Sequence, residues 1–196
     1  SLYQLTIEEG TQYHTLHQRG ELVIPGDDLA ADMFELTQEM MESCGLPAYE
    51  ISNHARTGQE SQHNRVYWRY GDYAGIGPGA HGRLTIEDEK WATRAHKAPE
   101  LWMKWVQEAG HGAHPYEKID PSKRGWEALM MGLRLREGIA LDAFLKETQT
   151  PLLEFLDPSR LKKLTDEKFI EVTDRHIRAT AAGRQRLNSV LSYLAA

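Results

Sequence analysis

Residues 63–81 read HNRVYWRYGDYAGIGPGAH and gather two histidines, three tyrosines, a tryptophan and four glycines into one short stretch. Imidazole is the commonest protein ligand to heme iron, and a tyrosine oxygen can also serve. Tyr67 and Trp68 supply faces on which a planar macrocycle can stack. Arg65 and Arg69 are suited to carboxylates such as propionates. The chemistry this set can do is therefore binding of a flat, metal-bearing, acidic ligand, with His63 and His81 as the candidate metal ligands. The competing reading keeps Tyr67, Trp68 and Tyr73 in a core and makes both histidines structural.

Within the same stretch GPGAHG matches G-x-G-x-x-G at Gly77, Gly79 and Gly82. A dinucleotide site needs that motif to follow a strand and open a helix. Here the strand-like RLTIE follows instead, so the nucleotide reading fails, and no GK[ST] is present for a phosphate loop. A tight turn where backbone meets backbone remains, or a turn that admits a flat ligand to the ends of neighbouring strands. The HxxH pairs His14/His17 and His111/His114 have no cysteines nearby and no H-E-x-x-H context. They read as solvated loop residues. Glu50 and Asn53 in YEISNHA stand at an expected strand end, where a carboxylate and an amide can orient a ligand or cap the next turn; spacing alone favours the cap.

The elements that must hold these residues follow from periodicity. SLYQLTI reads as a strand. DDLAADMFELTQEMMESCG reads as an amphipathic helix, with Asp27 or Asp28 as N-cap and Gly45 as its stop. AYEIS reads as a second strand, so that strand, helix and strand suggest a parallel βαβ unit. DYAGIGPGAHGRLTIE implies a glycine turn into a strand, with KWATRAHK as hairpin partner. From Pro99 the texture turns helical: PELWMKWVQEAG, DPSKRGWEALMMGLRLREG with a stop at Gly138, then ALDAFLKET. SRLKKLTDEKF, a hairpin over FIEVTDRHIRAT and a closing helix AAGRQRLNSVLSYL outline a winged helix at about 150–196. A boundary falls between residues 97 and 98.

Composition narrows the classes. The 196 residues are 40% hydrophobic and 27% charged, with net charge −6. That length buries a core without disulfide or metal staples, and that charge does not coat nucleic acid or anionic lipid. Residues 157–196 hold eight Lys and Arg against five Asp and Glu, too mild an excess for a phosphate-reading stripe. One cysteine, Cys44, excludes an intramolecular disulfide and suggests a reducing compartment. With no apolar run of membrane-spanning length and no signal-peptide pattern at its start, a cytoplasmic protein is expected. SLYQLTI is too apolar for a frayed terminus, so the chain is expected to begin mid-domain.

Three segments in order, SLYQLTIEEGT, YEISNHARTG and HNRVYWRYGDYAGIGPGAHG, resemble the radical-SAM proteins related to oxygen-independent coproporphyrinogen III oxidase. The HNxxYW element (His63, Asn64, Tyr67, Trp68) resembles the HemW-type heme chaperones in particular. The resemblance implies a mixed fold, α/β or α+β: residues 1–97 as the C-terminal part of a partial (β/α) barrel, and 98–196 as a helical domain with the winged-helix-like end. It also implies His63, Asn64, Tyr67 and Trp68 as heme-binding residues, with His63 on iron, and Leu5, Gly77, Gly79 and His81 near an S-adenosylmethionine pocket. The implied role is carrying heme to respiratory proteins, with radical decarboxylation of porphyrinogen propionates as the alternative and a winged-helix nucleic-acid module as the third. The family's full-length cofactors are a [4Fe–4S] cluster, S-adenosylmethionine and heme. CxxxCxxC is absent here, so no cofactor is expected in this chain by itself and radical chemistry would need a missing N-terminal half. An unpaired barrel strand is a template for another chain, so SLYQLTI is expected to pair within the chain or across a homodimer.

Overall fold

A computed structural model describes all residues, 1–196, and their contacts divide them into two units, Ser1–Glu60 and Ser61–Ala196. The first unit is helical. The Thr11 hydroxyl caps α1 (Gln12–Gln18) by accepting from the His14 N–H. α2 (Asp27–Ser43) has Gly26 rather than an aspartate at its N-cap, with Asp27 and Asp28 in the first turn, where carboxylates favour the helix dipole. Gly45 stops it, at φ +71°. Leu29, Met33, Leu36 and Met40, at helical spacing along α2, are each more than half exposed. The buried residues of this unit are polar: Glu50 and Asn53.

Neither expected strand of this unit forms. Residues 1–7 have no strand partner, and their backbone link is one bond from the Leu2 N–H to the Ser52 carbonyl at 2.9 Å. AYEIS closes on itself instead. Tyr49 N–H donates to the Asn53 carbonyl, Ala48 bridges His54, and the Glu50 carboxylate accepts from the Ser52 N–H and the Asn53 amide. A parallel ladder needs an extended neighbour with free backbone groups, and a segment curled around Glu50 offers none. The parallel βαβ unit is therefore not realised, and SLYQLTI finds no strand partner within the chain.

The second unit opens with α3 (Gln62–Trp68), capped by the Ser61 hydroxyl, which accepts from the Asn64 N–H. β1 (His81–Ile86) and β2 (Glu89–Arg94) form the expected hairpin, in register from His81 opposite Arg94 to Ile86 opposite Glu89. α4 (Pro99–Ala109) starts on proline and ends on Gly110 in the left-handed region. β3 (Glu117–Lys118) adds a third antiparallel strand beside β2. The 97/98 boundary thus falls inside this unit, between strands of one sheet.

α5 (Pro121–Gly132), with Asp120 as N-cap, leads through Gly138 to β4 (Ile139–Ala140) and α6 (Leu141–Thr148). α7 (Leu152–Phe155), α8 (Pro158–Asp166), β5 (Ile170–Val172), β6 (His176–Ala179), α9 (Ala181–Gln185) and α10 (Leu187–Ala195) complete the chain. The second sheet has order β4–β6–β5, all antiparallel. The helix–hairpin–helix outline expected for the tail is present. Leu129, Leu133, Phe144 and Ile177, each at most 1% exposed, form the core of this second unit. The fold is mixed helix and strand, of the α+β kind, with two antiparallel sheets.

A polar network joins the first sheet to α5 and α6. Arg83 holds Glu127 through two bonds, at 2.9 and 3.0 Å, and the Tyr70 hydroxyl donates to the same carboxylate at 2.6 Å. Lys90, 3% exposed, donates to the Tyr70 carbonyl and to Asp72, and lies 3.5 Å from Glu147. Arg124 meets Glu89. Burial pushes the Glu127 carboxyl up, but the Arg83 and Tyr70 hydrogen bonds outweigh it and hold the group below the ordinary carboxylate range. Burial and that same carboxylate push the Tyr70 phenol well above its ordinary value.

Candidate functional site

α3 places the HNxxYW residues by helical spacing. His63 and Tyr67, four apart, lie on one face. Their rings meet edge to face at 4.8 Å, and the Tyr67 hydroxyl and His63 Nε2 share a hydrogen bond of 3.1 Å. Tyr73 meets Tyr67 edge to face at 4.5 Å. His63 itself is exposed. Asn64 is half-buried near the start of the same helix.

Trp68 points elsewhere. It lines a cavity of about 300 Å³ with Tyr70, Ala128, Leu135 and Phe144, and the Arg134 guanidinium lies 4.5 Å over its ring. Its indole Nε1 is shut from solvent with no hydrogen-bond partner, although a buried indole N–H usually finds one. Arg65 and Arg69, expected to face propionates, both engage Glu137, at 3.2 and 2.7 Å. The element is thus split: His63 and Tyr67 outward, Trp68 inward.

The glycine stretch acts as backbone packing. Gly77 and Gly79 take φ of +101° and +72°. A Cβ on Gly75 would strike the His81 backbone, and one on Gly82 would strike Thr93 and the Tyr73 carbonyl. Tyr73 and Arg83 exchange backbone hydrogen bonds at 2.8 and 2.9 Å, so segment 73–75 lies directly against β1. His81 is the exposed first residue of β1. Leu5, 52% exposed, belongs to the first unit.

A [4Fe–4S] cluster is held by thiolates, and the one cysteine, Cys44, supplies one. A Cβ on Gly77 would meet open space, and one on Gly79 would make ordinary contact with Lys97, so neither glycine marks a cradle that a side chain would fill. The residues here do not assemble a cluster site.

A second group of rings escaped the sequence reading. His96 follows β2, and the segment 94–96 pairs with 112–114: Ala95 bridges Ala113, the His96 N–H donates to the Gly112 carbonyl, and the His114 N–H to the Arg94 carbonyl. That pairing sets the His96 and His114 rings 3.9 Å apart. Trp105 of α4 stacks on His96 at 5.5 Å and 9°. With His111 and Tyr116 they line a cleft of about 490 Å³. The second HxxH pair, expected to be solvated loop, thus sits in a built cleft, with His114 half-buried. The one sequence signal was the repeat of histidine and tryptophan over 96–114; the bridge that joins them has none.

No helix is long and apolar enough to cross a membrane. In the winged-helix-like tail, Arg178 is paired with Glu171 and Lys162 with Asp166.

Residues 119–186 match the family described as the HemN C-terminal domain. The chain is 35% identical to radical S-adenosyl methionine domain-containing protein 1, mitochondrial, of Danio rerio, over 97% of this chain and 44% of that protein. It is 31% identical to heme chaperone HemW of Bacillus subtilis (97% of this chain, 49% of that one), and 31% to heme chaperone HemW of Escherichia coli (97% and 48%). The chain therefore spans about half the length of the curated relatives it matches. Among solved structures, the radical-SAM coproporphyrinogen III oxidase HemN of Escherichia coli superposes with TM-score 0.64 at 15% identity, over 87% of this chain and 42% of that one. That likeness is one of fold.

Proposed function

The chain belongs to the family of HemW heme chaperones and HemN-like radical-SAM proteins, and from that premise we propose that it is the heme-binding portion of a heme chaperone. The observation that carries this reading is α3: the HNxxYW residues present an exposed imidazole beside a tyrosine hydroxyl, on a helix anchored by its own tryptophan. His63 is the iron ligand in this reading, the Tyr67 ring packs edge to face against it, and Asn64 completes the polar face. Heme then passes to respiratory proteins, in the cytoplasm or, as some relatives' names indicate, in mitochondria.

Residues 1–97 as the C-terminal part of a radical-SAM barrel, 98–196 as its helical appendage, and Leu5, Gly77, Gly79 and His81 toward an S-adenosylmethionine pocket belong to the same reading. Its full-length setting would supply the cluster cysteines. The alternative, oxidative decarboxylation of a porphyrinogen, draws on the HemN C-terminal domain match. Nucleic-acid binding has less support, since the tail's basic residues Arg178 and Lys162 are neutralised by ion pairs.

The test is a hemin titration followed through the Soret band, with His63→Ala beside the parent. Saturable binding with a ligand-bound spectrum, weakened in the variant, supports the reading. Binding that His63→Ala leaves untouched removes His63 from it. Conversion of coproporphyrinogen III by the reconstituted full-length protein would favour the alternative.

A further inference from the structure

The cleft between the end of β2, α4 and residues 111–116 differs from α3 in what its groups are free to do. No protein hydrogen bond reaches the ring nitrogens of His96 or His114, whereas His63 shares Nε2 with Tyr67. Arg94, two residues before His96, and Lys97, the next residue, have no carboxylate partner, whereas Arg65 and Arg69 share Glu137. Trp105 and Tyr116, 41% and 48% exposed, add aromatic surface. The cleft's volume lies within the range of about 300–1,000 Å³ common to small-molecule sites.

Free imidazoles, ring faces and unpaired cations select among ligands. No group of three or more His, Cys, Asp or Glu side chains is arranged to hold a metal ion, so a bare cation would lack ligands. A metalloporphyrin brings four nitrogens of its own and asks the protein for one or two axial ligands. Its rim carries propionates, which guanidinium and ammonium groups bind. Its faces are apolar and stack on aromatic rings.

We propose that the His96–His114–Trp105 cleft is a second heme contact of this chain, with an imidazole of the His96–His114 pair on iron and the propionates on Arg94 and Lys97. This deepens the heme reading and rests on it.

Hemin is titrated into the parent chain, His63→Ala, His96→Ala/His114→Ala and Arg94→Glu/Lys97→Glu, with Soret spectra and stoichiometry as readouts and far-UV circular dichroism as the folding control. The expected result is two equivalents for the parent and one for each histidine variant. The charge-reversed variant is expected to bind hemin about tenfold more weakly at the second site and hemin dimethyl ester as the parent does. It decides the matter if the double histidine variant does not fold. One equivalent lost only in His63→Ala overturns the second contact and leaves the heme reading standing. One equivalent lost only in His96→Ala/His114→Ala supports the cleft and removes His63 from the heme reading. Unsaturable binding in the parent overturns both.

Discussion

α3 and the His96–His114 cleft hold the same kinds of residue in opposite states. On α3 the groups are engaged: His63 with Tyr67, Arg65 and Arg69 with Glu137. In the cleft the His96 and His114 imidazole nitrogens have no hydrogen-bond partner, and Arg94 and Lys97, on either side of His96 in sequence, have no carboxylate partner. A group already bonded must break that bond before it can bind a ligand, whereas an open group loses only its water. The region densest in candidate ligands is thus not the one with most ligand capacity left, and residue type alone is a poor guide to a site.

The two regions also differ in how they are anchored. Tyr70, two residues beyond Trp68, ties the end of α3 to Glu127 and Lys90. The cleft hangs on the 94–96/112–114 pairing, which needs a glycine at 112 because any Cβ there would enter the Trp102 ring.

The largest effect that would break this comparison is expected from Glu127→Ala. It strands the Arg83 guanidinium and the Tyr70 hydroxyl in a mostly buried setting, at a cost of about 3 kcal/mol, measured by urea denaturation. The Glu127 carboxyl is depressed in the folded state. Its contribution is therefore complete above the ordinary carboxylate pKa, near about 4.3, and is lost as pH falls through the lower folded value. The difference between parent and variant should be full at neutral pH and shrink in acid; a gap that stayed constant into acid would show that the ion pair is not its source.

A middle effect is expected from Tyr67→Phe, which releases His63 Nε2. If His63 takes iron, freeing it should tighten hemin binding at α3 about fivefold, the equivalent of the roughly 1 kcal/mol net value of one hydrogen bond. Weaker binding in this variant would instead mean that the tyrosine oxygen contributes to the site. The smallest effect is expected from Glu137→Ala. Its ion pairs are largely exposed, so stability should move by less than about 1 kcal/mol. Arg69 loses its carboxylate partner and can meet a propionate, and the α3 site should then come to resemble the cleft in its preference for hemin over hemin dimethyl ester.

Local chemistry made much of this readable in advance. The β1–β2 hairpin, the starts of the helices after Pro99, the stop at Gly45 and the tail's helix–hairpin–helix were legible, because caps, glycines and short-range periodicity fix them within a few residues; the helix expected to run to Gly138 ends at Gly132 instead. The motif segments were legible too, and they identified the family. SLYQLTI and AYEIS were not: strand formation depends on a partner supplied from elsewhere, and Glu50 turned the second segment into a closed loop.

The sequence by itself determined the residue inventory, the local elements and the family to which they point, since these depend on order along the chain. Only the tertiary structure decided that Trp68 turns inward while His63 turns outward, that Glu137 occupies Arg65 and Arg69, and that His96 meets His114 across a bridge between residues eighteen apart. Which polar groups are satisfied and which stay open depends on partners distant in sequence, and no spacing rule carries that information.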